Sequence, residues 1–144
     1  MIVSEKRVKI DDPKKAAAEI QSQLIKEGED SGVQEHFWVI GLNNKNVSKY
    51  IDMVSLGTVS ETIVHPREIY RNAVKRSCTS ILLVHNHPSG VLTPSKEDIS
   101  TNKRLVEAGK VLGIEVLDHI IIPTDDTDTP PAKSYLSLRE DGYM

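Results

Sequence analysis

The sequence predicts an α/β fold, a mixed β-sheet flanked by helices. Three observations predict it. The runs "SILLVHNH" (80–87) and "IEVLDHIII" (114–122) are almost continuously apolar, as strands buried on both faces are. A strongly helical segment separates them. An earlier pair of strand-like runs is joined by the turn signal "NNKN" (43–46), which predicts an antiparallel pair. The resulting order, α-β-β-α-β-α-β with a short last strand, fits a mixed sheet with helices packed on its faces.

Asp11-Asp12-Pro13 starts the first helix, with Asp12 as cap and Pro13 at the first helical position. Ala16, Ala17, Ala18, Ile20, Leu24 and Ile25 then place apolar residues on one face, and Gly28 ends it. After a polar loop (29–32), "EHFWVIGLN" is rich in β-branched and aromatic residues and predicts a strand opened by Glu35. "VSKYIDMVSLGT" predicts its antiparallel partner. "HPREIYRNAVKRS" carries Ile69, Tyr70, Ala73 and Val74 behind Pro66, and predicts a helix of about three turns with His65 as its cap. The helix between the two buried runs extends from about Ser95 to Val111 and stops at Gly113. "SYLSL" (134–138) is a short final strand.

The 144 residues are enough to close one hydrophobic core, so the chain is read as one domain over 1–144. Its core spans about 13–123, and a polar loop and short strand fill 124–144. With 38% hydrophobic and 27% charged residues, no apolar run approaches membrane-spanning length. The N-terminal "MIVSEKRVKIDD" lacks the apolar centre of a signal peptide. One cysteine, Cys78, excludes an internal disulfide and a cysteine-based metal site. It reads as a half-buried core residue of a protein in a reducing, cytoplasmic compartment. A net charge of −3 with scattered basic pairs gives no support to phosphate-driven nucleic-acid binding. Asp125, Asp126 and Asp128 lack the glycine and distant glutamate of a calcium loop.

The chemistry concentrates in "LLVHNHPSGVLTPSKED" (82–98). Alternate residues of a strand share a face, with Cα atoms roughly 6.6 Å apart, so His85 and His87 can converge on one metal ion. They stand at the strand's C-terminal tip, where open α/β sheets place ligands. Asp98, in the first turn of the following helix, is placed to be a third ligand. Two histidines and a carboxylate leave a fourth tetrahedral position for water, as in catalytic zinc sites. A structural reading competes: Ser95 and Asp98 also match a capping box, and a His-x-His can simply end a strand. Glu35 is the general base that a hydrolytic site needs, provided its strand adjoins that of the histidines. His36 is expected to point outward beside it. Asp118-His119 either supports the site from a neighbouring strand or forms a structural pair. The letters H-N-H do not indicate an HNH nuclease, whose residues are spread over a hairpin and a helix. A base deaminase needs cysteines this chain lacks.

His85-x-His87, Ser95 and Asp98, with an upstream Glu, resemble the JAMM motif of the MPN-domain metalloproteases. Together with "IVHPREIYRNAVKR" and "RLVEAGKVLGIEVLDHIII", they resemble the bacterial RadC-like branch of that superfamily over about residues 13–123. The resemblance implies a cytidine-deaminase-like α/β fold and Zn2+ held by His85, His87 and Asp98. It also implies Glu35 as general acid/base and Ser95 as hydrogen-bond donor to an oxyanion. The implied activity is hydrolysis of an amide in a peptide or protein substrate. A non-catalytic metal-binding scaffold and a DNA-repair accessory are the alternatives, the latter from the family's DNA-repair label. Relative to that family, the helix-hairpin-helix-type segment is missing ahead of the motif, so the chain is expected to be a stand-alone form or a truncation. The stretch after Ile122 is longer and more polar than in the family.

Overall fold

A computed structural model describes residues 1–26, 34–57, 64–123 and 135–144. Its elements are β1 (Ile2–Ser4), α1 (Pro13–Lys26), β2 (His36–Leu42), β3 (Ser48–Leu56) and α2 (Pro66–Lys75). They continue with β4 (Ser80–His87), α3 (Lys96–Leu112), β5 (Glu115–Pro123) and β6 (Leu136–Ser137). The strands form one six-stranded mixed sheet in the order β1-β3-β2-β4-β5-β6. β2 pairs antiparallel with both β3 and β4, while β4 and β5 run parallel. A parallel pair needs a crossover, and α3 provides it. That connection brings the start of α3 back to the C-terminal tip of β4.

Side-chain alternation along the strands splits the core into two layers. Phe37, Val39, Ile81 and Leu83 face α2 and α3, where they meet Ile69, Tyr70 and Leu105. Trp38, Ile40, Leu82 and Val84 face α1, against Ala16, Ala17, Ile20 and Leu24. Fully burying one such aliphatic or aromatic side chain contributes about 1.5–3 kcal/mol, so these two layers dominate the stability. The Tyr70 hydroxyl donates to the Leu105 carbonyl at 2.7 Å and ties α2 to α3. Gly41 lies opposite Tyr50 in the β2–β3 register. A side chain there would run into the Tyr50 ring and the Cys78 sulfur. Gly113 closes α3 in the left-handed conformation, at φ 74°, as expected of a C-terminal cap.

The predicted fold class and central elements agree with this architecture, with four differences. β1 was not expected; three residues at a sheet edge carry too little pattern to signal a strand. Cys78 is buried rather than half-buried, and burial raises its thiol pKa, which keeps it protonated. His65 stands at the N-cap of α2, yet its side chain makes no cap bond; its carbonyl accepts from Glu68 and Ile69 instead. His36 does not point outward. It is 1% exposed and stacks on Trp38 with ring centroids 5.0 Å apart. Gly28, the loop over 29–32 and the aspartates at 125, 126 and 128 lie outside the described residues. Among the described residues, no helix is long and apolar enough to cross a membrane.

Candidate metal centre

The start of α3 is held by a complete capping box. The Ser95 hydroxyl accepts from the Asp98 N–H at 3.0 Å, and Asp98 Oδ2 accepts from the Ser95 N–H at 2.8 Å. Each bond satisfies one of the backbone donors left open at a helix start. The same Asp98 carboxylate also faces both histidines of β4. His87 Nε2 lies 3.0 Å from Asp98 Oδ2, His85 Nε2 lies 3.3 Å from Oδ1, and the two Nε2 atoms are 3.0 Å apart. Capping and clustering, which compete in the sequence, coexist on one side chain.

These separations suit a metal ion. Donors at ~2.0–2.1 Å from a tetrahedral centre stand ~3.3 Å from one another, close to the 3.0–3.3 Å observed. The hydrogens argue the same way. His87 Nδ1 lies 2.7 Å from the Val91 carbonyl, which only accepts, so Nδ1 carries a hydrogen. A neutral His87 then turns its Nε2 lone pair towards a carboxylate that is also an acceptor. Only a proton or a cation at the point of convergence relieves that arrangement. His85, His87 and Asp98 can therefore hold a metal ion.

Without the ion, a shared proton takes that role. Burial pushes the Asp98 pKa up, but the imidazoles of His85 and His87 beside it and the Ser95 N–H outweigh that and hold the carboxyl well below the usual range. Burial likewise opposes charge on His87. The bonds to Asp98 and the Val91 carbonyl, with the negative charges of Asp98 and Glu35, reverse that and raise its pKa.

Glu35 immediately precedes β2. Phe37 pairs with His85 at the end of the β2–β4 register, and Glu35 precedes Phe37 by two residues. The Glu35 charge acts on His87. The backbone on either side of Glu35 is fastened by Asn86, the residue between the two histidines. Asn86 Oδ1 accepts from the His36 N–H, and Asn86 Nδ2 donates to the Gln34 carbonyl at 2.8 Å. Asn86 is fully buried. It continues with its side chain a ladder that the backbones leave at Phe37.

The Asp118-His119 pair divides its labour. Asp118 accepts from the Ser137 hydroxyl, the Arg139 N–H and the His119 N–H, fastening the β6 end of the sheet. The His119 ring instead lies 2.8 Å from His85 Nδ1 and 3.2 Å from Asn102 Oδ1. Burial pushes its pKa well below the usual histidine value, helped by the neighbouring His85, so the ring is neutral. Asn102 is the residue that sequence reasoning missed. The available signal was its position four residues after Asp98, on the same helix face.

Fold and site together define a mixed α/β domain whose strand-tip His-x-His and helix-start Asp can bind a metal ion. The model of the RadC-like JAB domain matches residues 10–143, and the chain belongs to that family. The match includes the polar stretch after Ile122. A UPF0758 protein of Staphylococcus carnosus is 46% identical over 138 residues, covering 96% of this chain and 55% of the relative. UPF0758 proteins of Geobacillus kaustophilus and Caldanaerobacter subterraneus are 49% and 51% identical over 111 and 110 residues. Those matches cover 77% and 76% of this chain, and 46% and 44% of the relatives. The chain thus spans about half the length of the curated relatives it matches.

Proposed function

We propose that this chain is a zinc-dependent hydrolase of the JAMM type, acting on an amide bond of a peptide or protein. The observation that carries the reading is the convergence of His85 Nε2, His87 Nε2 and the Asp98 carboxylate, with Oδ1 3.3 Å from His85, Oδ2 3.0 Å from His87 and the two nitrogens 3.0 Å apart. Two nitrogens and one carboxylate oxygen form a donor set suited to catalytic zinc. When bound there, zinc supplies Lewis acidity that lowers the pKa of a water towards ~7 and polarises a carbonyl.

The protein's own groups do the rest. Glu35 takes the proton of the attacking water and returns it to the leaving amine. Asn86 keeps the Glu35 backbone in register with the histidines while that proton moves. The Ser95 oxygen is occupied by the Asp98 N–H, which leaves the hydroxyl hydrogen to donate to the oxyanion. The capping box holds the Asp98 carboxylate in place and limits the entropy lost on binding a metal. Residues 1–144 act as one domain in this reading. The single cysteine and the absence of an apolar spanning helix among the described residues favour a cytoplasmic setting.

The decisive comparison is Glu35→Gln against the native chain, with metal content and amide hydrolysis read on both. The variant should keep its metal and lose turnover by a factor of about 10²–10⁴. Near-native turnover by that variant would remove Glu35 from the mechanism.

A further inference from the structure

We propose that Asn102 and His119 are positioning residues that fix the ring hydrogen of His85 on Nδ1, leaving its Nε2 lone pair for a metal. The inference rests on the metal-site reading above and adds what sets the ligand's tautomer.

The geometry defines a directed chain of hydrogens. Asn102 Oδ1 lies 3.2 Å from His119 Nδ1 and is only an acceptor, so His119 Nδ1 carries the hydrogen. A neutral imidazole protonated there has a bare Nε2. That atom lies 2.8 Å from His85 Nδ1, so the hydrogen between the two rings belongs to His85. A neutral His85 then has no hydrogen on Nε2, the atom aimed at His87 and Asp98.

Reversing the Asn102 amide would reverse every step. Asn102 Nδ2 would donate to His119 Nδ1, His119 would donate to His85, and His85 Nε2 would be blocked by its own hydrogen. The observed orientation places Nδ2 towards the Met144 sulfur, at 3.7 Å, a weak acceptor. His85, His119 and Asn102 are all at most 3% exposed, so bulk water does not offer alternative partners.

Metal-binding histidines usually give their second N–H to a carboxylate, a carbonyl or water. Here the acceptor is a neutral ring, itself oriented by an amide. α3 anchors both ends of the arrangement. Asp98 and Asn102 lie one turn apart on its buried face, so the helix that supplies a ligand also sets the tautomer of another.

The test is ¹⁵N nuclear magnetic resonance of the histidine rings in the metal-free full chain at alkaline pH, paired with Zn2+ affinity by chelator competition. In the native chain, His85 should carry its hydrogen on Nδ1. Asn102→Leu should shift that hydrogen towards Nε2 and weaken Zn2+ binding about 10–100-fold, the usual range for outer partners. Asn102→Asp keeps an acceptor and should preserve the native tautomer. Thermal unfolding of the metal-free variants reads stability separately, and loss of stability with an unchanged tautomer would reduce Asn102 to a packing role. Finding the His85 hydrogen on Nε2 in the native chain would overturn the proposal without any variant. A native chain that takes up no Zn2+ but has His85 protonated on Nδ1 would remove the hydrolase reading and leave the tautomer assignment standing.

Discussion

His36 and His85 stand at the same end of the sheet, on neighbouring strands, and each is 1% exposed. Each also stacks on an aromatic ring, Trp38 for His36 and Phe37 for His85. The sheet face separates them. His36 lies on the α1 side, with Nδ1 2.8 Å from the Gln34 carbonyl. His85 lies on the α2/α3 side, where His87, Asp98 and His119 surround both ring nitrogens. Burial and residue type are shared, so neither makes the site. What differs is the convergence of several acceptors on one point, which the first turn of α3 creates.

The sharpest way to break the comparison is to remove each ring in turn. His85→Ala should weaken Zn2+ binding by well over the ~100-fold that an outer partner can supply. His36→Ala should leave Zn2+ affinity within a few-fold while lowering stability by about 1–3 kcal/mol, because it empties a packed position. Chelator competition and urea unfolding on both variants read the two effects separately. Similar zinc losses in both would erase the distinction between the faces.

Acid should act on the α3 side. The raised pKa of metal-free His87 means that it holds a proton where an ordinary histidine has lost it. Zinc has to displace that proton, so apparent affinity should fall about 10-fold per pH unit for each proton released. In the metal-free fold, the His87 contribution to stability is fully present below the unfolded value of about 6.5 and fades as pH rises through the raised folded value. Asp98 behaves oppositely: its contribution is present above about 3.9 and disappears as pH falls towards its depressed folded value. Zinc titrations across pH 5–8, paired with metal-free melts, check both signs. A pH-independent affinity would contradict the ligand assignment.

The smallest effect on metal binding is expected at Asn86, whose side chain faces away from the ligands. Asn86→Ala leaves the His36 N–H and the Gln34 carbonyl without their partner and should cost about 1–3 kcal/mol. Zinc affinity should change little, while any Glu35-dependent turnover should drop. Unchanged turnover with reduced stability would restrict Asn86 to a structural role.

Local features made much of this legible in the sequence. β4 and β5 show as apolar runs, α3 has its cap and stop residues, and strand alternation alone puts His85 and His87 on one face. The placement of Asp98 beside the two histidines was legible for the same reason as the cap: both depend on the first turn of α3. Pairings set by the whole sheet were harder to see. The contact of His119 with His85 depends on the β4–β5 register, and the Asn102 contact depends on how α3 rotates over the sheet. His36 was misplaced because alternation gives its face but not the helix covering that face. Only the packing of α1 shows that this face is buried.

The most direct measurement is Zn2+ stoichiometry and affinity for the native chain beside Asp98→Asn, in protein stripped of metal. The asparagine retains an oxygen to accept the Ser95 N–H, so the helix cap survives while the anionic ligand is lost. The dual role of Asp98 predicts about one zinc per native chain. In the variant it predicts an affinity reduced beyond ~100-fold, with the metal-free fold kept by the helix cap and destabilised only by loss of the Asp98 charge beside the two histidines. Equal zinc binding by both proteins would contradict the ligand role of Asp98, and none by either would leave His85, His87 and Asp98 as a strand end and a helix cap.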